Sequence, residues 1–167
     1  MNERKTMHSA VIEAPFGKVG IRVDEAAGVV RLIEYLPGAV GGVAPDSPLA
    51  ERAVRQIERY LETPAASFDL PLADGGTPFQ RRVWQAMCDI APGHVLTYGE
   101  LAEQIGGMPR AVGQACGDNP FPIVVPCHRV VAANGLGGFA HHAADGFFLR
   151  VKRWLLAHEG AQQELGL

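Results

Sequence analysis

The sequence predicts an α/β protein in which a small antiparallel β-sheet with one covering helix precedes a mostly helical second half. β-type alternation of apolar residues fills positions 9–36, helical spacing dominates from position 47 onward, and a loop at 72–76 separates the two regions. The 167 residues are 47% hydrophobic and 20% charged, which excludes a long disordered chain. We therefore predict two domains, an α/β domain at 1–76 and a second domain at 77–167.

The first 36 residues read as a short antiparallel meander. Val19, Ile21 and Val23 alternate with polar or small neighbours, as expected for a strand with one buried face. A turn at 24–28 leads into a β-branched apolar run at 29–36. A further strand near Ser9 to Glu13 is expected before the turn at Pro15-Phe16-Gly17.

A helix is predicted to begin at Ser47-Pro48, where serine is a favourable N-cap and proline suits the first helical position. Apolar residues then recur at helical spacing, with Arg and Glu on the opposite side. This stripe consists of Leu49, Ala53, Ile57, Tyr60 and Leu61. We expect the helix to cover the sheet.

Two capping boxes open helices in the second half. Thr77 and Gln80 are spaced for the first, and its helix must stop before Pro92. The inward stripe of that helix is Phe79, Val83, Met87 and Ile90. Thr97 and Glu100 form the second box, which opens a helix that runs to Ile105.

A pair of short helices follows from the break at Gly106-Gly107. The second member is predicted over Arg110 to Cys116. Two short helices joined by a tight glycine turn are the helix-turn-helix pattern, which fits an ordinary αα-corner equally well.

The last helix is predicted over Phe147 to His158, after a glycine-rich loop at 134–138. Its apolar residues are expected to point inward and its basic residues outward. The inward set is Phe148, Val151, Trp154 and Leu155, and the outward set is Arg150, Lys152 and Arg153.

Charge and cysteine usage limit the classes of function. Net charge is −3; residues 1–76 carry 8 basic and 11 acidic side chains, and residues 77–167 carry 7 of each. Any affinity for nucleic acid must therefore be local, since no bulk basic field attracts a polyanion. The spacings of the three cysteines match neither a disulfide framework nor a zinc site. With no signal peptide or membrane span expected, we predict free thiols in the cytoplasm.

Cys127 is the cysteine whose neighbours favour chemistry. It lies between Pro126 and His128, directly after an apolar triplet, and an adjacent imidazole can lower the pKa of a thiol. The alternative is that Cys127 is a small buried hydrophobe, and for an isolated cysteine that alternative has the greater weight.

Several motifs in order then make the second half recognisable. The run Asn119-Pro-Phe-Pro-Ile-Val-Val-Pro-Cys-His-Arg-Val-Val131 resembles the active-site signature of the O6-alkylguanine-DNA alkyltransferases, the methylated-DNA–protein-cysteine methyltransferases. The resemblance extends from Thr77 to Gly160. It includes Tyr98-Gly-Glu-Leu-Ala102, Arg110-Ala-Val-Gly113 and Trp154-Leu-Leu-Ala-His-Glu-Gly160.

The resemblance implies a fold and an activity. The first domain would be ribonuclease-H-like, and the second would carry a winged helix-turn-helix. The activity would be direct-reversal DNA repair, in which the alkyl group of O6-alkylguanine, or also of O4-alkylthymine, moves irreversibly to Cys127 in a single turnover. The implied partner is double-stranded DNA containing O6-alkylguanine, bound by a monomer, with no cofactor and no metal.

The resemblance also assigns roles to single residues. Cys127 would be the alkyl acceptor, His128 would deprotonate it through a water, and Glu159 would orient the imidazole, which is the logic of a nucleophile, a base and an orienting group. Asn119 would tie the helix-turn-helix to the active-site segment. Tyr98 would help to rotate the phosphate and would donate to N3 of the departing guanine.

Further residues would hold the DNA and the flipped base. Arg110 would fill the space that the flipped nucleotide leaves, although a solvated surface cation is the simpler interpretation of a lone arginine. Small residues on the same helix would let it enter the minor groove, or would allow close helix packing; these are Ala111, Gly113 and Ala115. The expected lining of the alkyl and base pocket is Pro122, Val130, Phe139 and Ala140.

One region departs from the family pattern. His141-His142 stands where the family usually has a glycine pair, and extra residues follow it, so the loop beside the expected pocket differs from the family's. Two rival classes remain. A non-catalytic DNA-binding protein would not need Cys127 with Glu159 and Asn119 in register, and a cysteine hydrolase would show repeated turnover.

Overall fold

The computed structural model describes residues 7–138 and 146–161, and the chain divides into two compact units, Met1–Asp74 and Gly75–Leu167. The N-terminal unit contains three strands and one helix. These are β1 (Ala10–Ala14), β2 (Gly17–Asp24), β3 (Val29–Leu36) and α1 (Pro48–Glu62). The predicted α/β class with a small antiparallel sheet and a covering helix is confirmed.

The sheet is a meander with strand order β1-β2-β3 and antiparallel pairing throughout. Its inner face carries Val19, Ile21 and Ile33, each 0–1% exposed, and α1 packs on this face through Ile57 and Tyr60. Alternation places every second side chain of a strand on the same face, which is why one side of the meander is apolar.

The C-terminal unit is mostly helical. Its elements are α2 (Pro78–Cys88), β4 (Leu96–Thr97), α3 (Tyr98–Ile105), α4 (Pro109–Gly117), a 3₁₀ turn (Cys127–Arg129), β5 (Val130–Val131) and α5 (Phe147–His158). Both predicted capping boxes are formed, with Thr77 and Gln80 at α2 and Thr97 and Glu100 at α3. Each box satisfies two backbone N–H groups that a helix start would otherwise leave unpaired.

The two short helices α3 and α4 pack against each other and against α2. Gly106 ends α3 in the left-handed conformation, with φ of +73°, which glycine adopts without steric cost. Trp84 of α2 donates its indole N–H to the carbonyl of Ala115 at 2.8 Å and fixes α4 against α2.

A two-stranded parallel sheet connects α3 and α4 to the cysteine segment, residues 119–131. Leu96 pairs with Val130 and Thr97 pairs with Val131. Because Tyr98 follows β4 directly and the 3₁₀ turn at Cys127–Arg129 precedes β5 directly, the pairing brings the start of α3 to the segment that contains Cys127.

The structure corrects the predicted face of α5. Lys152, predicted to point outward, is 0% exposed, whereas Phe148 and Trp154, predicted to point inward, are half-buried. Lys152 lies three residues after Leu149 and four before Leu156, so helical geometry places it on the buried face. A second correction concerns Cys88: its spacing of four residues after Trp84 predicts a packing position on the helix, but Cys88 is exposed.

Some predictions fall on residues that the structure does not describe. Phe139 and Ala140 of the expected pocket, and His141-His142, lie outside the described ranges. Within those ranges, no helix combines the length and the apolar character needed to cross a membrane.

Candidate active site

Cys127 begins a single 3₁₀ turn and is 7% exposed. The segment before it, 119–126, contains three prolines and adopts a constrained path. Within that segment Ile123 has φ of +75°, and among the described residues it is the one non-glycine residue with a positive φ. A β-branched residue in this region is strained, so surrounding contacts must impose the path.

Asn119 supplies two of those contacts. Its side-chain Nδ2 donates to the carbonyl of Val125 at 2.8 Å, and its Oδ1 accepts from the backbone N–H of Phe121 at 2.9 Å. One amide therefore spans the segment from the end of α4 almost to Cys127.

Replacing Asn119 with alanine is expected to lower the free energy of unfolding by about 1–3 kcal/mol, because two backbone groups of the segment lose their partner. Thermal or urea unfolding measures this effect. Asn119→Asp is the matched control: it keeps the acceptor for Phe121 but loses the donor to Val125, so its effect should be intermediate. Equal stability of the wild type and Asn119→Ala would contradict this account.

His128, Glu159 and Arg129 form a buried cluster. Nε2 of His128 lies 2.8 Å from Oε2 of Glu159. Arg129 donates through Nε to Oε1 and through Nη2 to Oε2, both at 2.9 Å, and through Nη1 to the carbonyl of Ile90 at 2.6 Å. Nδ1 of His128 is buried and has no hydrogen-bond partner among the described residues. The imidazole is thus oriented from one nitrogen and open at the other.

Burial lowers the pKa of His128; the hydrogen bond and charge of Glu159 oppose this shift, and the charges of Arg129 and Lys152 add to it. Burial also raises the pKa of Cys127, against the opposing effects of a hydrogen bond with Asn119 and the charge of Lys152. Burial thus outweighs the groups that lower the pKa of this thiol. The resting pair is a neutral imidazole and a protonated thiol, and the thiol needs a base to become a nucleophile.

Lys152 connects Tyr98 to the cysteine segment. Its ammonium donates to the carbonyls of Val130 and Gly138, at 2.8 and 2.9 Å, and the hydroxyl of Tyr98 donates to the same carbonyl of Gly138 at 3.3 Å. A side chain at Gly137, where φ is +74°, would lie 3.0 Å from the Tyr98 ring, so this close approach requires glycine.

The titratable groups around this carbonyl have shifted pKa values. Burial lowers the pKa of Lys152 to about 8, although Cys127 and Cys116 oppose the shift. Burial raises the pKa of Tyr98, with smaller contributions from the same two cysteines, so its phenol keeps its proton and can donate. Burial raises the pKa of Cys116 to about 12, which makes that thiol inert at neutral pH.

The residues predicted to contact DNA divide into two groups on α4. Arg110 and Ala111 are exposed, and Gly113 is half-buried; a Cβ at Gly113 would lie 4.0 Å from the Tyr98 ring. Ala115 is 2% exposed and its carbonyl accepts from Trp84 of α2, which favours the alternative of close helix packing at this residue. Small residues on this helix serve packing at Ala115 and leave the exposed surface to its first turn.

The predicted pocket is described in part. Pro122 and Val130, which lie five residues before and three residues after Cys127, are both buried. The carbonyl of Val130 accepts from the ammonium of Lys152. Within residues 7–138 and 146–161, no three His, Cys, Asp or Glu side chains are grouped as metal ligands would be.

Arg129 and Lys152 were not predicted as parts of the site. The helical spacing of Lys152 with Leu149 and Leu156 was a usable signal for its burial. Arg129 had no such signal, because its partners Glu159 and Ile90 are distant in sequence.

The chain is similar to a family model and to known proteins. Residues 78–161 match the family model described as 6-O-methylguanine DNA methyltransferase, DNA binding domain. A methylated-DNA–protein-cysteine methyltransferase of Methanosarcina acetivorans is 39% identical over 163 residues, which cover 93% of this chain and 99% of the relative. One of Mycobacterium tuberculosis is 47% identical over 134 residues, covering 77% of this chain and 81% of the relative.

Solved structures include that of Mycobacterium tuberculosis OGT in complex with DNA. It matches with a TM-score of 0.72 and 36% identity, covering 91% of this chain and 92% of the other. A relative aligned over nearly its whole length and a family model that matches residues 78–161 together decide the assignment. The chain belongs to the family of methylated-DNA–protein-cysteine methyltransferases.

Proposed function

We propose that this chain repairs DNA by moving the alkyl group of O6-alkylguanine to its own Cys127. The observation that carries the proposal is the buried Cys127 thiol followed by an imidazole that Glu159 orients at Nε2 and that is open at Nδ1. This arrangement supplies a soft nucleophile and a neutral base in a site closed to bulk water.

The transfer is a displacement at the alkyl carbon. His128 takes the thiol proton, through a water, and Sγ of Cys127 forms a bond to the methyl carbon as the bond from that carbon to O6 breaks. The electron pair of the broken bond stays with guanine, which then needs a proton. Tyr98 donates a hydrogen bond to N3 while this charge develops, and the proton that His128 took from the thiol passes through water to guanine. The net exchange is one methyl group for one proton.

Tyr98 is suited to this role because burial raises the pKa of its phenol. A donor that stays protonated at neutral pH can meet the negative charge that develops on the leaving guanine. The product on Cys127 is a thioether, which no group of the described site can cleave. The protein is therefore consumed, one molecule for each lesion.

Double-stranded DNA is the proposed substrate, bound by a monomer. The alkylated base must leave the helix to reach a buried sulfur, and Arg110, exposed in the first turn of α4, would occupy the space it leaves. We assign α3 and α4 to a winged helix-turn-helix within residues 77–167, the DNA-binding and alkyl-acceptor domain, and the meander with α1 within 1–76 to a ribonuclease-H-like domain. The free thiol requires a reducing compartment, and we place the protein in the cytoplasm.

Intact-protein mass spectrometry tests the proposal directly. After incubation with an excess of duplex that contains O6-methylguanine, each molecule should gain the mass of one methyl group, and peptide mapping should place it on Cys127. The DNA should contain one restored guanine for each protein consumed. Several repaired lesions per molecule would instead favour a turning-over hydrolase, and binding without any gain in mass would favour a lesion-binding protein.

Replacing Arg110 with alanine is expected to slow repair of duplex DNA by about tenfold or more, because stabilising the flipped nucleotide accounts for a few kcal/mol. Reaction with free O6-benzylguanine needs no flipping and should keep its rate. Second-order rate constants on both substrates measure the effect. Arg55→Ala, which removes an exposed helical arginine of the N-terminal unit, is the matched control. Equal losses on both substrates would show that Arg110 supports the fold or the chemistry.

A further inference from the structure

Glu159 has two partners, and Arg129 makes more hydrogen bonds to its carboxylate than His128 does. Arg129 makes two hydrogen bonds to the carboxylate, one to each oxygen, whereas His128 makes one, to Oε2. The third bond of Arg129, to the carbonyl of Ile90 at 2.6 Å, anchors the guanidinium just beyond α2. All three side chains are 0–9% exposed. This is the planar, two-pronged geometry in which arginine binds carboxylate most strongly.

The charges in this cluster decide the protonation of His128. A buried carboxylate that faced an imidazole alone would favour the imidazolium, because an opposite charge in contact stabilises the charged form. Arginine is always protonated, so Arg129 already neutralises Glu159. A proton on His128 would then add an uncompensated positive charge to a buried site, which is costly.

We propose that Arg129 is a positioning residue for the transfer reaction: by sharing Glu159 with His128, it keeps the imidazole neutral, with N–H at Nε2 and the lone pair at Nδ1. The inference rests on the proposed role of Cys127 as alkyl acceptor. It deepens that role, since a base can take the thiol proton only if it does not already carry one.

Other charged groups around His128 point the same way. On its own turn it lies between Cys127 and Arg129. At the C-cap of α5 it meets Glu159, and the charge of Lys152 within α5 disfavours the imidazolium as Arg129 does. From α2, which also packs against this turn, Cys88 adds no charge at neutral pH, because it is exposed and its pKa is raised. Glu159 is thus the single anionic partner of His128 within the described residues, and Arg129 is bonded to it.

Nuclear magnetic resonance of histidine ¹⁵N in the wild-type protein tests whether His128 is neutral with its proton at Nε2. His128, identified by comparison with His128→Gln, should remain neutral as the Nε2–H tautomer from about pH 8 down to about pH 6, below which an ordinary histidine is mostly charged. A charged His128 at neutral pH, or the opposite tautomer, would overturn the inference. This measurement involves no alkyl transfer, so it is decided separately from the proposed function.

The variants Arg129→Gln and Arg129→Lys test whether the charge of Arg129 keeps His128 neutral. Glutamine removes the charge, and the His128 midpoint should rise by about one pH unit or more. Transfer from free O6-benzylguanine should then be about fivefold or more slower than wild type near pH 6 and recover to within about twofold near pH 8.5, where the imidazole is neutral again. Lysine keeps the charge and should hold the midpoint near the wild-type value.

Arg150→Gln is the matched control, since it removes an exposed arginine of α5 and should shift neither the midpoint nor the profile. A purely structural role for Arg129 would lower the rate of Arg129→Gln equally at every pH and leave the His128 midpoint unchanged, and that result would overturn the inference. If Arg129→Gln does not fold, the wild-type tautomer and the Arg129→Lys midpoint still decide it.

Discussion

Replacing Cys127 with alanine is expected to abolish alkyl transfer, with a rate loss of more than about a thousandfold, because no other group can take the place of the nucleophile. The variant should still fold and still bind duplex DNA that contains O6-methylguanine. The substitution removes one buried sulfur and leaves in place the hydrogen bond from Asn119 to Val125 and those of Glu159 with His128 and Arg129. Radiolabel transfer measures the first effect, and a gel-shift titration measures the second.

The other two cysteines are the controls for this result. Cys88 is exposed and has a raised pKa, and Cys116 is buried with its sulfur 3.5 Å from that of Met87. Neither thiol lies next to an oriented base. Cys88→Ser and Cys116→Ala should therefore transfer the alkyl group at rates close to wild type. A methyl label on either residue, or residual transfer in Cys127→Ala, would contradict the assignment.

Replacing Lys152 with methionine is expected to slow transfer by about tenfold or more while changing stability little at neutral pH. The ammonium lowers the pKa of Cys127, and it holds the carbonyls of Val130 and Gly138 in place. Losing hydrogen bonds from a charged donor costs about 1.5–3 kcal/mol each, but removing a buried charge returns an energy of similar size. Single-turnover rates and urea unfolding measure the two effects separately.

The stability difference between the wild type and Lys152→Met should depend on pH. The pKa of Lys152 is about 8 in the folded protein, against a reference value of 10.5. Below the folded value both states carry the proton, so the cost of burying the charge is fully present. Between about pH 8 and 10.5 the unfolded chain binds more protons, so the wild type gains stability relative to the variant, by about 3 kcal/mol in all.

Unfolding curves of both proteins from neutral to alkaline pH measure this difference, in which groups common to both proteins largely cancel. Arg150→Met, an equivalent change at an exposed position of α5, should show no such slope. If the difference in unfolding free energy between the wild type and Lys152→Met did not change with pH, the ammonium would be far better solvated than its complete burial implies.

Local signals made much of the fold predictable. Both capping boxes, the proline after Ser47 and the glycine break at Gly106 act within a few residues of chain, and the helices begin and end where those signals place them. The same holds for the alternation of Val19 and Ile21, since a strand's faces follow directly from sequence parity.

Long-range pairing explains what the sequence did not reveal. Lys152 is buried because carbonyls at Val130 and Gly138, 22 and 14 residues away, satisfy its charge, and a rule based on polarity alone places it outside. Ala115 contacts α2 rather than solvent for a related reason, since the indole of Trp84 approaches it from 31 residues earlier in the chain. The cysteine segment was identified by its resemblance to a family. No periodicity or spacing of its residues alone would have identified it.

The left-handed conformation of Ile123 has a consequence for how the thiol becomes accessible during folding. Because a branched side chain resists this conformation on its own, the segment from Asn119 to Cys127 adopts its native path only after α4, β5 and the core around them are in place. The sulfur should therefore be exposed in partly folded chains and become buried in the last step. We expect its reaction with an added thiol reagent to be limited by the opening of the whole C-terminal unit, which makes Cys127 an internal probe of that unit's cooperative unfolding.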